Sequence, residues 1–85
     1  MKVKLLYFAR LREAFGTQAE EAALPEGVRD VSGLLQWLRS RGGAWDTELA
    51  RGRAFRVAVD QQMAAESTRL RDGAEVAVFP PVTGG

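Results

Sequence analysis

The chain has no cysteine and no histidine among its 85 residues. Disulfides, thiolate nucleophiles, imidazole bases and the usual zinc ligand sets are therefore excluded, and no metal site is expected. Lysine is scarce as well, with only Lys2 and Lys4, both near the start. A general base acting near neutral pH would have to be one of these or a strongly perturbed carboxylate. Neither sign of charge dominates: 12 basic and 11 acidic residues leave a net charge of +1. That balance gives no electrostatic case for nucleic acid or for an anionic membrane surface. No apolar run approaches the length of a membrane span, and Met1-Lys2-Val3-Lys4 does not open a signal peptide. The expected location is cytoplasmic. There is no internal repeat and no low-complexity stretch.

What is present suits one small domain with a single modest core, without an interdomain cleft. Arginine outnumbers lysine ten to two, which reads as composition and not as a site. Met1 to Phe8 alternates as a strand, with Val3, Leu5 and Tyr7 on one face and Lys4, Leu6 and Phe8 on the other. Arg10 to Gly16 reads as a polar connection or a helical turn, and Ala19 to Leu24 as a weaker strand forming a hairpin with the first. After the turn Pro25-Glu26-Gly27, Asp30 is a good N-cap. Val31, Leu34, Leu35 and Leu38 then make one apolar stripe of a helix that stops at Arg41-Gly42-Gly43. Gly33 weakens that helix by about 1 kcal/mol relative to alanine. Ala44 to Arg53 is irregular or a short second helix, anchored by Trp45 and Leu49. Phe55 to Asp60 is a strand, Gln61-Gln62 turns into a short segment at Met63, and Leu70 plugs the core. Ala74 to Phe79 is the last strand, which Pro80-Pro81 ends.

The order strand, strand, helix, strand, strand predicts an α+β fold: a mixed sheet with one main helix on one face. Residues 1–79 form the domain and 80–85 a flexible tail. The uncovered sheet face is expected to carry Lys4, Leu6, Phe8, Arg56, Ala58, Glu75, Ala77 and Phe79. If the first and last strands are parallel neighbours, the Phe8 and Phe79 rings lie close together at the base of the tail. Such a patch suits a partner interface.

Two glycines at the last two positions occur by chance in roughly one chain in 100 at this glycine content. Placed after a Pro-Pro-terminated strand, Gly84-Gly85 says more. Glycine has no Cβ, so this end can pass a narrow channel. Six residues beyond Phe79 span at most roughly 20 Å, and Pro80 and Pro81 stiffen their base. A terminal carboxylate is ionised at neutral pH. Glu20-Glu21 is no acid/base pair, because strand neighbours point to opposite faces. Trp37 and Trp45 read as packing residues, not ligand platforms. Arg10 and Arg12 either meet partner carboxylates or lie in a solvated loop.

The opening Val3-Lys4-Leu5-Leu6-Tyr7-Phe8-Ala9-Arg10-Leu11-Arg12-Glu13, the turn Leu24-Pro25-Glu26-Gly27 and the ending from Leu70 to Gly85 resemble molybdopterin synthase small subunits. The segment Asp60-Gln61-Gln62 departs from them, since many relatives carry Asn in place of Asp60. The resemblance implies a ubiquitin-like β-grasp fold and a sulfur carrier without catalytic side chains or bound cofactor of its own. Its Gly85 carboxylate would be adenylated by an ATP-using enzyme similar to ubiquitin-activating enzymes (an E1-like adenylyltransferase) and thiocarboxylated with sulfur from a donor protein. The tail Pro80, Pro81, Val82, Thr83, Gly84 and Gly85 would then insert into the large subunit of molybdopterin synthase and give sulfur to cyclic pyranopterin monophosphate. The implied interface is Phe8, Met63, Phe79 and Arg12. Carriers for tRNA thiolation or thiamine synthesis, protein modifiers joined through Gly85, and a plain binding module remain alternatives.

Overall fold

The apolar alternation at both ends of the chain is resolved by pairing the ends with each other. In the computed structural model, which describes residues 1–81, β1 (Lys2–Tyr7) runs parallel to β5 (Glu75–Phe79). Backbone bonds fasten the far end of this pair: the Gly73 N–H donates to the Lys2 carbonyl at 2.7 Å and the Lys4 N–H to that of Ala74 at 2.8 Å. On its other side β1 pairs antiparallel with β2 (Ala19–Ala23), and β5 pairs antiparallel with β3 (Arg56–Val59). A two-residue strand, β4 (Gln62–Met63), closes the order β2-β1-β5-β3-β4. Sequence periodicity predicts four strands. The fifth is too short to produce a pattern, and its residues were expected only as a turn and a short segment.

Three helices connect these strands: α1 (Arg10–Phe15), α2 (Val31–Arg39) and α3 (Ala44–Glu48). The stripe Val31, Leu34, Leu35 and Leu38 of α2 is buried throughout, against Val3, Leu5, Val57, Val76 and Val78 of the sheet. Asp30 caps α2, its side chain accepting the Gly33 N–H at 2.8 Å. The helix ends at Arg39, not at Arg41-Gly42-Gly43. Ser40 is its C-cap, and Gly42 takes a left-handed φ of 77° in the turn beyond. Arg41 therefore leaves the helix axis and is used elsewhere. Leu49 and Leu70 are buried as expected, and Gly16 ends α1 in a left-handed conformation. The hairpin between β3 and β4 has positive φ at both Asp60 (51°) and Gln61 (68°), a two-residue turn that Asp tolerates as Asn does.

Candidate functional site

Residues paired across neighbouring strands share a sheet face. Leu6 pairs with Ala19 and with Ala77, and Ala58 pairs with Ala77 and with Met63. One apolar row, Ala19-Leu6-Ala77-Ala58-Met63, thus crosses all five strands on the face away from α2. The adjacent row, towards the end of β5, contains Phe8, Phe79 and Arg56, with Arg56 directly opposite Phe79. On the other side of the apolar row lie Glu21, Lys4 and Glu75. The uncovered face is therefore divided. Its apolar half sits where the chain leaves β5, and its charged half sits at the opposite end.

Phe8 is 45% exposed and Met63 65%, which is much for large apolar side chains. Phe79 and Leu6 are half-buried, and none of these four belongs to the core cluster. Ala58 is more buried than an open face suggests, because its small side chain is enclosed by its row neighbours. Phe8 and Phe79 stand on adjacent strands, the Phe8 N–H donating to the Val78 carbonyl at 3.2 Å. Their rings form no aromatic pair; the paired aromatics among the described residues, Tyr7, Phe15 and Trp45, lie on the helix side. Ala19 was missed as part of the row, although the alternation of the second strand contained the signal.

Pro80 and Pro81 are half-buried at the end of β5. Val82, Thr83, Gly84 and Gly85 lie outside the described residues. Arg12 is exposed on α1. Arg10 is not available to a partner carboxylate. Its Nε meets Glu48 Oε1 at 3.2 Å and its Nη2 donates to the Ala54 carbonyl at 2.7 Å. The same Glu48 oxygen accepts from Arg53 at 3.1 Å, and these donors, Arg10 first, hold the Glu48 carboxyl below its usual range.

A second polar cluster went unread in the sequence. Arg41 clasps Glu20 with two bonds, Nη1 to Oε2 at 2.8 Å and Nη2 to Oε1 at 2.9 Å. The Tyr7 hydroxyl donates to the same Oε2 at 2.7 Å. The guanidinium lies 4.5 Å from the ring centre of Trp45 and 4.9 Å from that of Trp37. Trp45 stacks on Phe15 with centroids 3.8 Å apart. Hydrogen bonding from Arg41 lowers the Glu20 pKa, while burial, then Glu20, pushes the Tyr7 hydroxyl far up. Both groups are thereby moved away from neutrality and fixed in single protonation states. The cluster is suited to holding β1, β2 and the region after α2 together, not to moving protons.

The described residues thus combine an exposed apolar sheet face with a chain that leaves β5 beside it. None of their helices is long and apolar enough to cross a membrane. The model of the ThiS family matches residues 5–85. The molybdopterin synthase sulfur carrier subunit of Escherichia coli is 40% identical over 83 residues, covering 98% of this chain and 99% of that protein. The subunit of the same name from Mycobacterium tuberculosis is 38% identical over 100% of this chain and 99% of its own length. Among solved structures, SAMP1 from Haloferax volcanii superposes with a TM-score of 0.81 at 26% identity, each chain covered completely. The mixed five-stranded sheet with its helix-covered face is the ubiquitin-like β-grasp arrangement of these proteins, and the chain belongs to the ThiS family.

Proposed function

We propose that the chain is the sulfur-carrying small subunit of a molybdopterin synthase, working through the terminal carboxylate of Gly85. The observation that carries this reading is the end-to-end match, 40% identical, to a protein named molybdopterin synthase sulfur carrier subunit. The divided sheet face supports it, because the apolar half lies where β5 ends and the tail begins.

The chemistry follows from the carboxylate. A carboxylate oxygen of Gly85 attacks the α-phosphate of ATP on an E1-like adenylyltransferase, and pyrophosphate leaves. Sulfide released by a donor protein then attacks the acyl carbon, and AMP leaves with the oxygen, giving a thiocarboxylate. In the large subunit of molybdopterin synthase this sulfur passes to cyclic pyranopterin monophosphate. The chain itself contributes recognition and reach. Phe8, Met63 and Phe79 offer apolar contact, Arg12 a peripheral charge, and Pro80 to Gly84 a narrow lead to the reactive end. ATP is consumed by the activating enzyme and is not a resident cofactor, and the work is cytoplasmic.

The test is intact-mass measurement of the chain purified from its own host, together with identification of co-purifying proteins. Replacement of one oxygen by sulfur at Gly85, with a molybdopterin synthase large subunit bound, is expected. A thiocarboxylate accompanied instead by a tRNA thiolase would assign the carrier to that pathway. Isopeptide-linked Gly-Gly remnants on lysines of other proteins, without any thiocarboxylate, would make the chain a modifier.

A further inference from the structure

Apart from the open sheet face, one concavity lies on the helix side of the molecule. It is a groove of about 470 Å³ between α2, the segment 49–57 and residues 64–66. It exists because the sheet stops early there: β4 has only two residues, so the layer between α2 and β3 is left partly uncovered. The floor is formed by half-buried Ala50, Phe55 and Ala64 over the buried core residues Leu35, Leu49 and Val57. Around it stand Arg39, Arg51 and Arg53, with Glu66 as the single acidic lining residue, and Arg56 borders it from the open sheet face.

Their existing contacts define what they can still bind. Arg53 is partly neutralised by Glu48, and Arg39 and Arg56 each donate to a backbone carbonyl, of Leu49 and Phe55 respectively. Arg51 has no hydrogen bond or ion pair among the described residues. Three guanidinium charges are thus without a carboxylate partner there. They come from the end of α2, from the segment before β3 and from the start of β3, so the arrangement fits several separated negative charges better than one compact anion.

We propose that this groove docks an extended acidic segment of a protein partner, one whose aspartates or glutamates alternate with a bulky apolar residue. The apolar residue sits on the floor and the carboxylates meet the arginine rim. The groove opens on the helix side, so it can be occupied while the opposite sheet face is engaged. Arg56 pairs with Phe79, which puts one end of the groove next to the end of β5. A partner holding the tail can therefore also reach the groove.

The test is amide chemical-shift titration of the full-length, isotope-labelled chain. The probe is a capped synthetic peptide of aspartate and glutamate interrupted by single leucines. A matched peptide with asparagine and glutamine, and inorganic phosphate, are titrated alongside. Shifts are expected at residues 49–57 and 64–66 with the acidic peptide alone. Arg51→Glu, at an exposed position without partners to lose, is expected to weaken binding roughly tenfold, as is raising the salt to about 0.5 M. Equal response to the neutral peptide, shifts centred on Phe8 and Met63, or unchanged affinity in Arg51→Glu would overturn the proposal. So would phosphate binding at these residues without peptide binding, which would mark a small-anion site.

Discussion

At the scale of single residues, the cluster of Tyr7, Glu20 and Arg41 makes the clearest energetic commitment. Arg41→Ala removes a two-point ion pair and contacts with two indole rings, so it is expected to cost about 1–2 kcal/mol in urea unfolding. The pH dependence has a definite sign. The Glu20 carboxyl lies lower in the folded chain than the roughly 4.3 of a free glutamate, so its contribution is complete above about pH 5 and is lost as pH falls. Glu20→Gln should lower stability at neutral pH and flatten the acid limb. Parallel acid curves for the two proteins would show that the cluster is not the source. Tyr7 acts in the opposite direction. Its hydroxyl titrates higher folded than free, so its contribution is lost as pH rises above about 10, and Tyr7→Phe should remove that loss. None of this was legible in the sequence. Arg41 has the place of an ordinary basic residue near a helix end, and its true partners lie 21 positions back and on two separate tryptophans. Long-range side-chain convergence leaves no local pattern.

At the scale of elements, the sequence speaks plainly where burial is periodic. The stripe of α2, its Asp30 cap, the alternation of β1 and β5 and the breaks at Gly16 and Pro80 all lie where periodicity and turn chemistry put them. Boundaries without a periodic signal were read less well: the end of α2 lies short of its glycine pair, and β4 has too few residues to alternate. Gly33 shows how propensity alone misleads. Helix propensity makes Gly33→Ala stabilising by about 1 kcal/mol. A Cβ there would stand 3.3 Å from the Asp30 Oδ1 that caps the helix and 3.6 Å from Val28. The substitution pushes on the cap it ought to benefit from. Thermal unfolding should show Gly33→Ala gaining distinctly less than the propensity value, and Asp30→Ala losing about 1 kcal/mol. A full propensity gain at Gly33 would mean the cap carboxylate moves aside freely.

At the scale of the whole molecule, the central strand pair joins the first and last strands, so the chain end is attached to the middle of the sheet and not to an edge. Every core residue and every sheet hydrogen bond among the described residues involves positions up to 79. Folding and the proposed chemistry are thereby separable along the sequence. Phe79→Ala truncates a ring outside the core cluster, so the melting temperature should fall by no more than about 4 °C while binding to a synthase large subunit weakens. A collapse of the fold would show the ring to be a core residue. Deleting Gly84 and Gly85 makes a sharper separation. No described core contact or ladder bond depends on them, so amide spectra and urea midpoint should match those of the intact chain. Sulfur loading and molybdenum-cofactor production in a host lacking its own carrier should both vanish. If the shortened chain still restores cofactor production, the reactive handle lies elsewhere. If it unfolds, the end of the chain has a structural role that the β1–β5 pairing does not account for.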